Sequence, residues 1–175
     1  MSAFSPAQSL SEYRVEKSRT DASITLSSGL TVHGCFFVAG SSRSGSGPER
    51  VKDLLNSESG FFPFETSAFG GATRTNLYNR DHVILVELAD KREVHSDSGY
   101  DVAHPRAVTM LLSNGARLHG LVRVHRPHGR DRLSDFARAS EPFCYLETER
   151  TTYLVNVRHL IELAEETSPH DIGRR

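Results

Sequence analysis

Apolar and polar residues alternate along residues 24–34 and again along residues 110–120, and each run is interrupted by a turn pair, Ser28-Gly29 in the first and Asn114-Gly115 in the second. Alternation on both sides of such a pair predicts a β-hairpin with a tight turn. Gly34 and Gly120, inside the second strand of each hairpin, predict a bulge or sharp bend. Further along, Val51, Leu54 and Leu55, and then Leu133, Phe136 and Ala137, stand at i, i+3 and i+4. That spacing predicts a short helix with one apolar face. More short strands follow each helix, with Phe61, Phe64, Phe143, Tyr145 and Leu146 expected in the core. Val83-Ile84-Leu85 and Leu160-Ile161 are expected to close the sheet.

The two series can be laid on each other. Residues 24–34 match residues 110–120 at an offset of 86, with Gly29 on Gly115, His33 on His119 and Gly34 on Gly120. Residues 50–55 and 61–66 match residues 132–137 and 143–148 at an offset of 82, and residues 79–84 match 156–161 at 77. Length changes fall only between blocks, where surface loops tolerate them. The predicted fold class is mainly β with short helices (α+β), as two tandem β-β-α-β-β repeats of a small-barrel-like kind. The boundaries read as a polar tail over 1–21, repeat 1 over 22–89, a linker over 90–105, repeat 2 over 106–166 and a tail over 167–175. The linker and residues 40–48 are assigned as loop because neither helical nor strand period runs through them. Each unit is close to the smallest size that holds a core alone, so packing of the two together is expected.

Composition narrows the function classes. Among 175 residues, Lys+Arg number 21 and Asp+Glu 22, a formal net charge of −1, so no global field draws the chain to nucleic acid or an anionic membrane. Cys35 and Cys144 lie far apart and form no CxxC pair, which points to a reducing compartment and a cytoplasmic location. Both sit among aromatic residues, a setting for inert thiols. No apolar run approaches the roughly 20 residues that span a bilayer, and the polar first twenty residues lack the apolar stretch of a secretory signal. A soluble chain with no membrane partner is expected.

Local charge is less even. Between residues 106 and 132, six arginines (106, 117, 123, 126, 130, 132) face one acid, Asp131, a balance of +5. On an alternating strand Arg117, His119, Leu121, Arg123 and His125 share one face, and Leu118, Gly120, Val122 and Val124 the other. Arg117, His119, Arg123, His125, Arg126 and Arg130 are therefore the candidate site for an anion or a partner's carboxylates, which a planar guanidinium fork suits. A solvated face balanced by Glu141, Glu147 and Glu149 is the bland reading of the same strip. The matching face of the first series, Thr31, His33, Cys35 and Phe37, is neutral. The nine histidines form no HxxxH or HExxH motif, so no metal site is assigned. Residues 40–47 lack the Gly-Lys-Ser/Thr ending of a phosphate loop, and no GxSxG elbow is present. No cofactor and no enzymatic activity are expected.

The Gly-x-x-apolar-x-Gly of residues 115–120, followed by Asn-Val-Arg-His-Leu-Ile-Glu-Leu at 156–163, resembles the two signature motifs of Sm-like small barrels, a class that includes a bacterial RNA chaperone. The resemblance covers about a third of each unit and implies a tandem Sm-like or SH3-like shape. Two departures stand against it. Sm-like proteins place their helix before the first strand, and the aspartate and asparagine of that family's nucleotide loop have no counterpart here. A shared shape does not carry function with it. The expected function is a non-enzymatic cytoplasmic binding or scaffold module that meets a protein partner or associates with itself. The alternative is an Sm-like RNA binder working through the arginine strip.

Overall fold

The structure, a computed structural model, describes residues 17–41, 47–57, 60–67, 71–97, 99–124, 133, 136 and 141–166. Among these residues ten strands form one antiparallel sheet: β1 (Lys17–Leu26), β2 (Thr31–Ala39), β3 (Phe61–Ser67), β4 (Thr73–Asn79), β5 (Val83–Leu88), β6 (His104–Leu112), β7 (Arg117–Val124), β8 (Phe143–Glu147), β9 (Thr152–Asn156) and β10 (Leu160–Glu165). A short helix, α1 (Val51–Ser57), follows β2, and 3-10 turns occupy Arg80–His82, Lys91–Ser96 and Val157–His159. The strand order is β10-β6-β7-β8-β9-β5-β1-β2-β3-β4. The sheet thus reads as β5-β1-β2-β3-β4 beside β10-β6-β7-β8-β9, joined where β5 pairs with β9.

The two hairpins form where alternation and turn chemistry coincide. Gly29 and Gly115 take φ of 85° and 84°, a left-handed conformation that costs glycine little, and each N–H closes the turn on the carbonyl of Leu26 or Leu112. Registers agree pair by pair. Ser18 lies opposite Val38 and His104 opposite Val124, and each hairpin runs from there without a shift. A bulge falls between Val83 and Leu85 where β5 meets β1, and another between Leu160 and Glu162 where β10 meets β6.

Apolar residues gather in two cores, one on each face of the central strands. Val86, Leu88 and Leu154, with Phe143 and Tyr145, belong to the first core, together with Ile24, Phe36, Phe62, Phe64 and the α1 residues Val51 and Leu55. Ile84, Val155 and Leu146 belong to the second, with Val108, Met110, Leu112 and Val122. Strands β5, β8 and β9 are thus covered on both sides, which explains why β5 (Val-Ile-Leu-Val-Glu-Leu) and β9 (Thr-Tyr-Leu-Val-Asn) carry consecutive apolar residues.

Several expectations change. Phe143, Tyr145, Leu146 and Phe64 are buried, but Phe61 is 62% exposed and Phe62 takes its place at 0%. Phe62 and Phe64 share a face by the two-residue strand period, and Phe61 must point away. Neither Gly34 nor Gly120 marks a bulge: the register runs through both. Their role is close approach, because a Cβ at Gly34 would overlap the Glu65 carbonyl oxygen and one at Gly120 the Glu147 carbonyl oxygen. The segment expected as a loop over 90–105 contains the 3-10 turn Lys91–Ser96, with Val94 2% exposed, and β6 begins within it at His104. β1 likewise begins at Lys17, inside the expected tail. Of the second predicted helix, Leu133 and Phe136 are helical and pack on the second core, while Ala137 lies outside the described residues. Leu160-Ile161 starts an outer strand, and Val83-Ile84-Leu85 lies at the centre of the sheet.

Candidate functional site

The alternation read along the arginine strip is present on β7. Arg117, His119 and Leu121 are exposed, Arg123 is half-buried, and Val122 and Val124 are buried on the opposite face. Acids from neighbouring strands meet the strip. Arg123 Nε donates to Glu147 Oε1 at 2.7 Å, and the guanidinium stacks 3.6 Å from the centre of the Tyr100 ring, whose hydroxyl hydrogen-bonds Glu147 at 2.9 Å. Arg106 Nη1 lies 3.2 Å from Glu165. His119 Nδ1 is 2.8 Å from Glu166 Oε1, and Thr109 Oγ1 donates to the same oxygen at 2.7 Å. The His119 contact, with the Thr109 hydroxyl, holds the Glu166 carboxyl below its ordinary range. His125, Arg126 and Arg130 lie outside the described residues. The structure therefore brings Arg117, His119 and Arg123 onto one strand and sets carboxylates beside the latter two.

A second arrangement, not singled out from the sequence, is the junction of β5 with β9. Asn156 is 1% exposed; its side-chain N–H group donates to the Val83 carbonyl at 2.8 Å and the Arg80 carbonyl at 3.3 Å, while its Oδ1 accepts from Arg158 N at 3.1 Å. Arg158 pairs with Asp81, and His159 Nε2 meets the Asp81 carbonyl at 2.8 Å. On the other side, Asn56 of α1 clasps Phe143 of β8 through its backbone, at 3.0 Å to the carbonyl and 2.9 Å from the N–H. Below it, Lys52 reaches Asp97 at 2.9 Å and Glu141 at 3.0 Å, and Tyr145 donates to Glu93 at 2.9 Å. Burial pushes the Glu93 carboxyl above its ordinary range, against the lowering effect of the Tyr145 hydrogen bond.

The outer strands contrast with this junction. Among the described residues no strand pairs with the outer side of β4 or of β10. Leu77 on β4 is 68% exposed and Ile161 on β10 is 64% exposed, and Phe61 on the neighbouring β3 is exposed as well. Large exposed apolar side chains beside unpaired main-chain groups are what an edge strand normally avoids. The alignment at offsets 82 and 77 sets Phe61 and Ile161 against Phe143 and Ile84; Leu77 and Leu154 lie just outside its last block, at the same offset of 77.

Burial raises the Cys144 thiol to about 12, which keeps it protonated. Among the described residues no group of three or more His, Cys, Asp or Glu side chains converges as a metal site, and no helix is long and apolar enough to cross a membrane. No protein-family model, curated protein or solved structure matches the chain.

Proposed function

We propose that the chain is two copies of one unit, the expected β-β-α-β-β of small-barrel type extended by a fifth strand (β5 or β10), and that it works as a non-enzymatic protein-interaction module whose sheet edges accept a further strand. Several equivalences support the duplication. Ser27 bonds His82 at 3.0 Å and Ser113 bonds His159 at 2.9 Å, each across a 2.8 Å backbone bond from the Ser N–H to the His carbonyl. Asn79 Oδ1 accepts from Asp81 N at 3.0 Å as Asn156 Oδ1 does from Arg158 N. The bulge recurs at Ile84 and Ile161, seventy-seven residues apart.

The single observation that carries the interaction reading is the exposure of Leu77 and Ile161 on outer strands that have no partner on their outer side among the described residues. Main-chain groups of an edge strand supply affinity for an added strand, and side chains on alternate positions supply selectivity. The RNA reading draws less support, because Arg123, Arg106 and His119 each stand against a carboxylate, and phosphate would have to displace it.

A photo-crosslinking residue placed at Leu77 or at Ile161 in the native host tests the reading, with Leu30 and Val102 as exposed apolar controls away from both edges. Protein adducts at the two edge positions and not at the controls are expected. Adducts at the controls alone, or at no position, would overturn it. The adduct mass separately reports whether the added strand belongs to another copy or to a different protein.

A further inference from the structure

The exposed residues of the outer strands are the counterparts of residues buried at the inner junction. Phe61 stands where Phe143 stands in the second unit, and Phe143 is 1% exposed against 62% for Phe61. Leu77 stands where Leu154 stands, at 68% against 0%, and Ile161 where Ile84 stands, at 64% against 1%. Phe143 and Leu154 are buried because the first unit lays its core against them, and Ile84 because it enters the core of the second. The same strand pairing that protects these three leaves their counterparts in solvent at the two ends of the sheet.

We infer that β10 of one chain pairs with β4 of a second copy, repeating the β5–β9 junction between chains in a head-to-tail arrangement. The inference rests on the duplicated-unit reading above. Register follows from the inner junction, where Val86 faces Leu154 and Leu88 faces Thr152. Moving both strands by seventy-seven residues sets Leu163 opposite Leu77 of the next copy and Glu165 opposite its Thr75. Charge agrees with that register: β4 carries Arg74 and no acid, whereas β10 carries Glu162 and Glu165. Asp81 and Arg158 occupy each other's places in the two units, so Asp81 of the next copy would stand near Arg158 and each side chain, already paired within its own chain, would be shared between two partners. Such a junction uses different surfaces on its two sides, so it propagates into a closed ring or a filament.

Sedimentation of the full chain tests this, with Leu77→Lys and Ile161→Lys as variants that each charge one edge. Both sites are exposed, and circular dichroism is the check that each variant folds. The wild-type chain is expected to assemble, each variant alone to sediment as a monomer, and their equimolar mixture to give a dimer of twice the 19.4 kDa chain mass, because each supplies the edge the other lacks. A wild-type chain that stays monomeric, a single variant that still dimerises, or a mixture that stays monomeric would overturn the inference. Edge crosslinks to a different protein, with no self-association, would sink the second copy as occupant and leave the interaction reading standing.

Discussion

Asn156 and Asn79 each cap a 3-10 turn through the side-chain oxygen, yet their neighbours differ, and removing each side chain should expose that difference. In Asn156→Ala the Val83 carbonyl loses its 2.8 Å donor. The Arg80 carbonyl keeps the Val83 N–H and loses only the longer contact. Leaving one buried acceptor without its partner costs about 1–3 kcal/mol. Losing the side-chain cap on the Arg158 N–H adds roughly 1 kcal/mol by analogy with helix caps. The total is about 3 kcal/mol. Asn79→Ala removes only a cap, the 3.0 Å bond to Asp81 N, at a half-buried position, for roughly 1 kcal/mol. With a urea slope of about 2 kcal/mol per molar, the midpoints should fall by about 1.5 M and about 0.5 M. Both substitutions belong in the Leu77→Lys background, where pairing through β4 is blocked. Asn156→Asp separates the two parts: it retains the cap acceptor but presents a carboxylate to the carbonyls, so it should destabilise at least as much as alanine at neutral pH. Equal midpoint shifts for the two alanine variants, or a larger one for Asn79→Ala, would refute the claim that Asn156 ties the units together.

Gly34→Ala should cost about 1–3 kcal/mol or more, because its Cβ overlaps the Glu65 carbonyl and the Phe64 ring edge lies 2.8 Å away. Gly29→Ala, with open space but φ of +85°, should cost roughly 1 kcal/mol; thermal unfolding that ranks them the other way would show that backbone approach does not govern the β2–β3 pair. Glu93 gives a pH signature. Its folded carboxyl, raised by burial, binds a proton more tightly than the unfolded one, so its contribution is fully present below the unfolded value near 4.5 and is lost as pH rises through the raised folded value. Glu93→Gln removes that loss, so the variant should gain on the wild type in denaturation midpoints as pH rises above about 4.5. A gain on acidification instead would show that the Tyr145 hydrogen bond outweighs desolvation.

How much could be read in advance depended on how far apart in sequence the deciding contacts lie. The hairpins were legible because alternation and a Gly turn specify both strands from about ten adjacent residues. The Phe-Phe-Pro-Phe run at 61–64 was not, since two adjacent aromatics offer both phases of a strand and only the cover from β2 and α1 selects Phe62 over Phe61. The arginine strip was legible as charge, but its carboxylates Glu147, Glu165 and Glu166 come from other segments whose position depends on the sheet order. The junction itself left a readable trace. β5 and β9 are more continuously apolar than the outer strands β10 (Leu-Ile-Glu-Leu-Ala-Glu) and β4 (Thr-Arg-Thr-Asn-Leu-Tyr-Asn), the difference expected between strands covered on both faces and strands at an edge. That β4 and β10 nevertheless keep Leu77 and Ile161 is the part that edge status alone does not explain. A strand that only ever faces water gains nothing from a leucine at 68% exposure, whereas one that receives the end of a neighbouring sheet needs an apolar residue where Leu154 supplies it at the inner junction. On that argument Asn79 also acquires the second task of Asn156 once chains assemble, donating to the carbonyls of Val157 and Leu160 of the preceding copy. Asn79→Ala in an otherwise native chain should then weaken assembly while costing the isolated chain little.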